Sequence, residues 1–424
     1  MTTAPPPPSE ARRAASSTDP LEVRSEAIDL TGGLLGRLPA SAGALAWVHD
    51  GQGLVGWGQV ARLEVRGAGR FARAQRWWRE QLDRFTVYDD VGAVGSGPVA
   101  FASFSFADDS TEASVMVVPE VVLGRRDGKA WLTTIGTPPR LSSPQPVAPP
   151  ALLRYAHGAA SVTAHRAAVT EAVRRIAAGD VEKVVLAHDL VAIADGPIDA
   201  RFVLAGLADR YPDCWTFAVE GLIGATPELL LALRGGRITS LVLAGTAARG
   251  SDEVDDLRLH RELLESAKNL EEHRYALDSL TQALQPHTTS MTVSPTPYLL
   301  DLSNVIHLAS DVIGTVASGR DALDLIAAVN PSAAVGGTPT PVAVRMLREL
   351  EGFDRGRYAG PVGWIDAQGD GEWGIALRCG LLDGNAARLF AGGGIVAESD
   401  PDSEVAEAQS KFVPMRDALE GVRN

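Results

Sequence analysis

Seven charged side chains in the C-terminal part of this chain have types and spacings suited to acid–base and metal chemistry. Lys183 stands in EKVVLA, Glu228 in GATPELLL, Glu272 in SAKNLEEH and Arg378 in WGIALRC, while Glu404, Glu407 and Lys411 share SEVAEAQSK. An ammonium inside an apolar strand is costly unless it is paired or used. If the face carrying Lys183, Val185 and Ala187 is enclosed, desolvation favours the neutral amine, a general base; taken alone, the same lysine reads as a strand-edge residue snorkelling to water. Glu228 follows Thr226-Pro227 and enters the apolar run Leu229–Leu231. Burial there keeps a carboxyl protonated and able to donate, although a capped turn residue reads the same way. A base and an acid of this kind suit a reaction that adds water at one carbon and expels hydroxide at another.

Glu404, Glu407 and Lys411 fall at i, i+3 and i+7, on one face of a helix. With Glu272 they offer hard oxygen ligands for Mg²⁺, an ion that also keeps waters and a substrate carboxylate. The plainer readings are a solvated helix face and, for Glu272, an ion pair with Lys268 four residues earlier. Arg378 lies between Leu377 and Cys379 in an apparent strand, where a guanidinium needs an anion and its fork matches a carboxylate. Gly392-Gly393-Gly394 ends a strand and lets backbone N–H groups approach an anion. It is not a dinucleotide fingerprint, because no GxGxxG opens a helix after a first strand. Gly245 and Gly336-Gly337 serve similarly or are plain turns, and His307 in NVIHLAS reads as a core histidine.

The elements that position these residues are legible from periodicity. RFARAQRWWREQLDRF is helical, with Phe71, Ala74, Trp78, Leu82 and Phe85 at spacings of three and four; this stripe is core packing in preference to a ligand platform. Hairpins are expected at Asp50–Gly53 and Asp127-Gly128, and Asp108 and Asp109 cap a solvent loop. A proline-rich connection follows near residue 145. Beyond it come the helix HRAAVTEAVRRIAAG, closed by Gly179, and the strand VEKVVLAHDLVAI. Later strands are TFAVEGLIGAT, LLLALRGGRITSLVLAG, YAGPVGWIDA, EWGIALRCGLL and ARLFAGGGIV. Helices are expected over 252–284, opening at Ser251, and over 320–329, 339–351 and 401–419. Strands that follow one another without intervening helices predict antiparallel sheets with helices outside, not a doubly wound parallel sheet.

Composition narrows the partners. The chain has 424 residues, 45% of them apolar and 22% charged, and a net charge of −14, which disfavours nucleic acid and anionic membranes. Cys214 and Cys379 are too few for a disulfide framework and read as buried thiols of a reducing compartment. No apolar run reaches the roughly 18 residues of a membrane span, and the N-terminus lacks a secretory signal. A soluble cytoplasmic protein is expected, with a disordered Pro/Ser/Ala-rich tail over 1–24, a strand-rich part over 25–150 and a catalytic part over 151–424.

Together the segments EKVVLA, GATPELLL, LAGTAARG, ELLESAKNLEEH, NPSAAVGGTP, RGRYAGPVGW, GDGEWGIALRC, LFAGGGIV and ESDPDSEVAEAQSK resemble the chorismate-utilising enzymes, in that family's order over about residues 155–415. The resemblance implies an α/β (α+β) fold of two stacked, mainly antiparallel sheets covered by helices, like component I of anthranilate synthase. It implies Lys183 as the base that activates water and Glu228 as the acid that protonates the departing hydroxyl. Glu272 and Glu407, with Glu404 nearby, hold Mg²⁺; Tyr358, Arg378, Gly392, Gly394 and Lys411 meet the substrate carboxylates; Gly245, Thr246, His307, Ala334 and Val335 line the pocket. A lysine in EKVVLA goes with water as nucleophile, and PSAAVGGTP resembles the isochorismate synthases. The implied enzyme is a monomer interconverting chorismate and isochorismate for menaquinone or siderophore biosynthesis. A salicylate synthase, which goes on to eliminate pyruvate, and a non-catalytic chorismate-binding protein are the alternatives. The chain departs from the family pattern at Asn330 (commonly His), Ser332 (Thr), His188 (Arg) and Thr226 (Ser).

Overall fold

The computed structural model describes residues 20–40, 43–137, 146–250, 252–301 and 305–422. Residues 1–19 of the expected tail, most of the proline-rich connection and Ser251 lie outside them, as does the Lys268 side chain. The first strand, Leu21–Ala27, begins within the stretch assigned to the tail.

Among the described residues the strands form one sheet of 13 and another of 10. Their pairings are antiparallel except that of Leu21–Ala27 with Phe85–Asp89. Alternation sorts the side chains as pleating requires. In Leu45–His49, Leu45 and Trp47 enter a core shared by both sheets, with Phe217, Phe101, Trp364 and Trp373. Ala46 and Val48 point the other way, into a layer with Val203, Leu204, Met415 and Leu419 of two covering helices. The N-terminal strands extend both sheets: Leu45–His49 pairs with Trp215–Val219, and Val99–Ser103 with Pro361–Asp366.

Several expected elements are interrupted, each for a local reason. The first helix ends at Leu82, and Phe85 opens a strand instead of closing the helix. TFAVEGLIGAT is a hairpin, because Glu220 and Gly221 both adopt positive φ. The helix over 252–284 is two, Glu253–Glu265 and Ala267–Leu284; Ser266 between them caps the second by accepting from Asn269 N. The first of the pair is capped by Asp252. The last helix splits into Pro401–Lys411 and Val413–Glu420, with Pro414 at the start of the second, where its missing N–H does no harm. Asp108 and Asp109 are ion-paired, to Arg70 and Arg348.

Two corners matter most for function. At Pro227-Glu228 the chain leaves Leu222–Thr226 of the larger sheet and enters Leu229–Arg234 of the smaller. At Ala376–Arg378 it crosses back, from Gly371–Ile375 to Cys379–Asp383. The corners are neighbours, since Ile375 N donates to Glu228 O at 3.3 Å and Ala225 N to Arg378 O at 3.2 Å.

Between the sheets Glu372 accepts from Trp47 Nε1 (3.0 Å), Arg126 Nη2 (2.5 Å) and Arg234 Nη2 (2.7 Å). Burial works against its charge, but the two arginines more than offset that and hold the carboxyl below its ordinary value. Glu372→Ala leaves the mostly buried Arg126 unpaired and the buried indole N–H without an acceptor. We expect it to destabilise the fold by about 3–5 kcal/mol, read by urea unfolding at neutral pH.

Candidate active site

A cavity of ≈ 170 Å³ lies beside the two corners, and every residue singled out above as catalytic, metal-binding or substrate-binding lines it. The larger sheet contributes Lys183, Gly392 and Gly394; the smaller contributes Gly245, Thr246 and His307; Glu228 and Arg378 come from the corners. The helices Ala267–Leu284 and Pro401–Lys411 bring Glu272, and Glu404, Glu407 and Lys411.

Lys183 is 2% exposed, so the face it shares with Val185 and Ala187 is enclosed. Its ammonium lies 2.7 Å from Glu272 Oε1. Glu272 is therefore engaged by the lysine that the sequence assigned to catalysis; what Lys268 contacts falls outside the described residues.

Glu228 is buried, and its backbone N donates to Thr226 Oγ1 at 3.2 Å, so the threonine that replaces the family's serine still closes the turn. Burial pushes its carboxyl up to about 8, against the pull of Lys183 and Arg378. At neutral pH it holds a proton it can donate. Arg378 is not inside a strand. It sits at the corner with φ +45°, and this unusual backbone turns it toward the cavity. Among the described residues Glu407 and Glu228 attract it without forming an ion pair, and burial depresses its pKa. A buried fork so placed suits a substrate carboxylate.

The three carboxylates flank Gly393-Gly394. A β-carbon at Gly394 would lie 3.0 Å from Glu272 Oε1, and one at Gly393 would lie 3.4 Å from Glu404 Oε2 and 3.9 Å from Glu407 Oε1. Each is also held by a neighbour: Glu272 by Lys183, Glu404 by the Ser399 hydroxyl (2.6 Å) and Glu407 by Lys411 (2.6 Å). No three His, Cys, Asp or Glu side chains converge as metal ligands among the described residues, so these carboxylates form an open set. Their donor chemistry, hard oxygen from one or two carboxylates with room for water and a ligand oxygen, still fits Mg²⁺.

The glycine run also lets neighbouring groups approach closely. Along one edge Gly392, Gly393 and Gly394 pair with Ala187, Leu186 and Val185 respectively. At Gly392 a β-carbon would lie 2.9 Å from Tyr358 Oη, and Lys411 Nζ donates to Gly392 O at 2.7 Å. Burial raises the Tyr358 hydroxyl's pKa, so it stays a neutral donor. Gly336 and Gly337 back the Lys183 strand; a β-carbon at Gly337 would lie 2.2 Å from Lys183 O. Gly245 sits on a bulge, φ +78°, where the strand Arg237–Ala248 slips register between Leu243 and Thr246. The slip turns Thr246 toward His307, whose Nδ1 is 2.9 Å from Thr246 Oγ1. Burial, with Arg378 and Lys411 nearby, lowers His307 to about 3, and its buried Nε2 has no hydrogen-bond partner among the described residues. A neutral imidazole with one nitrogen occupied and the other bare is set to meet a ligand.

Ala334 and Val335 lie on the segment after the helix Ala322–Val329. Asn330 Nδ2 reaches Phe106 O at 3.4 Å. Arg355 and Asn269 also line the cavity and were not singled out from the sequence. Arg355 carried a usable signal, its i,i+4 spacing from Glu351, but Gly352 ends the helix between them and masks it.

A profile of the family described as "Chorismate binding enzyme" matches residues 47–140 and 139–420. The chain is 40% identical over 260 residues to "Isochorismate synthase MenF" of Bacillus subtilis, covering 60% of this chain and 55% of that one. It is 32% identical over 415 residues to "Salicylate biosynthesis isochorismate synthase" of Pseudomonas aeruginosa, covering 89% and 85% respectively. The solved structure of MenF, "the Menaquinone-Specific Isochorismate Synthase from Escherichia Coli", superposes with a TM-score of 0.81 at 25% identity over 96% of each chain. With this agreement along nearly its whole length, the chain belongs to the chorismate binding enzymes.

Proposed function

We propose that this protein is an isochorismate synthase, which interconverts chorismate and isochorismate. The observation that carries the reading is the meeting of Lys183 and a protonated Glu228 in one enclosed cavity, a base for water and an acid for a leaving hydroxyl. Lys183 takes a proton from water as its oxygen attacks C2. The ring double bonds shift, and the C4 hydroxyl leaves as water with the proton of Glu228. One water enters and one leaves, so the net change is an isomerisation. Arg378 and Lys411 hold the two carboxylates of the dianion, and Tyr358 donates to one of them. With Thr246 donating to Nδ1, His307 offers its Nε2–H to the substrate. Glu272, Glu404 and Glu407 would hold Mg²⁺, which when bound supplies charge neutralisation for the ring carboxylate. Positioning and charge complementarity supply most of the acceleration.

No helix among the described residues is long and apolar enough to cross a membrane. We place the enzyme in the cytoplasm, acting as a monomer on a small molecule, with its product serving menaquinone or siderophore biosynthesis.

The test is incubation with chorismate, followed by chromatography with mass detection. Isochorismate is the expected product, and its formation should drop by about 100-fold or more with EDTA and recover with added Mg²⁺. Salicylate with pyruvate would identify a salicylate synthase. Tight chorismate binding without turnover would leave a binding protein.

A further inference from the structure

The strand Lys183–Ile193 has one edge paired continuously, with Ala386–Ile395. Among the described residues its other edge is paired only at its ends, to Gly337-Thr338 at Lys183-Val184 and to Arg154–His157 at Leu190–Ile193. The gap between them faces the interior, where an unmet N–H or C=O is expensive. Two side chains occupy it. Glu351 Oε1 accepts from Ala187 N at 2.8 Å, and Arg355 Nη2 donates to Val185 O. Arg355 Nη1 also donates to Val335 O at 2.9 Å, while its Nε grips Glu351 at 2.9 Å. Both side chains are buried, at 8% and 4% exposure, and the Arg355 guanidinium lies 4.4 Å from the Phe106 ring centre.

We propose that Glu351 and Arg355 are positioning residues that stand in for a missing strand. The guanidinium joins two walls of the cavity, because Val185 lies two residues from Lys183 and Val335 belongs to the segment lining the substrate. The carboxylate fixes Ala187, which pairs with Gly392. The brace thereby sets the base against the substrate wall without touching reacting atoms. The anion that Arg355 needs is already supplied by Glu351, which leaves Arg378, among the described residues, as the lining guanidinium without an ion pair.

The kinetic part of the proposal rests on the isochorismate synthase reading; the backbone part does not. Arg355→Lys keeps the charge beside Glu351 but loses the fork that reaches two carbonyls. Glu351→Gln replaces the charged acceptor of Ala187 N by a neutral amide oxygen that Arg355 no longer grips, so the bond protecting that amide weakens. Each is assayed well below its unfolding midpoint, so that the folded enzyme is compared. We expect kcat to fall by about 10- to 100-fold with the KM for chorismate within about threefold, since small displacements of a base act on the chemical step. Residue-resolved hydrogen exchange should show the Ala187 amide exchanging at least about tenfold faster, with Val184 and Leu186 unchanged. Faster exchange with unchanged kcat would reduce the pair to a structural role and overturn the proposal. A lowered kcat with unchanged exchange would also overturn it, by making Arg355 a substrate contact. A wild-type enzyme inactive on chorismate whose variants still lose Ala187 protection would sink the functional reading and leave the brace standing.

Discussion

Lys183→Ala is expected to slow water addition by about 10²–10⁴-fold while the protein still binds chorismate within a few-fold of wild type. Binding should persist because Arg378 and Lys411 remain in the cavity and neither depends on Lys183 for a hydrogen bond. A loss of charge alone could also slow the reaction, since one of the cations facing a dianion is removed. Lys183→Arg separates the two effects, as a guanidinium keeps the positive charge beside Glu272 but does not give up its proton at working pH. Both variants should be inactive if the lysine is a base. A Lys183→Arg enzyme with more than about a tenth of the wild-type rate would show that charge suffices. The ion pair adds a second readout that does not depend on turnover. Lys183 occupies Glu272 Oε1 at 2.7 Å, so it competes with any cation for that oxygen. In Lys183→Ala the affinity for Mg²⁺, measured by calorimetry without substrate, should rise. Unchanged affinity would place the metal away from Glu272.

Much of this site was legible in the sequence because its groups contradict their surroundings. A lysine in EKVVLA, a glutamate entering LLL and an arginine in IALRC are each expensive where the local pattern puts them, and all three reach the cavity. The resemblance to the chorismate-utilising enzymes supplied the pocket-lining residues, whose own chemistry is silent: nothing in Ala334, Val335 or Gly245 signals a ligand. Positions where one backbone angle decides were not legible. The run WGIALRC alternates as a strand should, yet Arg378 adopts φ +45° and the chain changes sheets there. Periodicity sees neither event, because both are settled by which sheet each flank joins. The neighbours that hold the carboxylates were not legible for a related reason. Helical spacing puts Glu404 and Glu407 on one face, but it says nothing of Ser399 and Lys411 already binding them. Arg355 was missed because its partners are mostly backbone carbonyls, which carry no sequence identity. His188, where the family often has arginine, is buried against His165 with ring centres 4.8 Å apart and donates from Nε2 to Ala160 O, and nothing in the structure explains the exchange.

Glu228→Gln is expected to cut turnover by about 10²–10⁴-fold and, unlike most active-site substitutions, to stabilise the fold at neutral pH. The amide keeps the shape of the protonated carboxyl but has no proton to give a departing hydroxide. The stability effect follows from burial, which raises the carboxyl from its ordinary value of 4.5 to about 8. Below 4.5 the carboxyl is protonated in both the folded and the unfolded chain, so pH has no leverage through it. Between 4.5 and 8 the unfolded chain releases the proton and the folded chain keeps it, so the folded state binds more protons and wild-type stability falls as pH rises. Above 8 both release it and the loss levels off. Glutamine does not titrate, so the advantage of Glu228→Gln over wild type should grow from pH 4.5 to about 8, read by urea unfolding in EDTA. Lys183 pulls this carboxyl downward, so in a Lys183→Ala background the growth should continue to higher pH. A flat difference between pH 5 and 8 would mean that Glu228 ionises like an exposed carboxyl, and the acid would have to be sought elsewhere. Catalysis offers a matching symmetry. The forward reaction moves one proton from Glu228 to Lys183 by way of the two waters, so the enzyme forms that start the forward and reverse reactions differ in where a proton sits, not in how many are bound. The pH profiles of kcat/KM for chorismate and for isochorismate should therefore coincide, and both should lose the ionisation near 8 in Glu228→Gln.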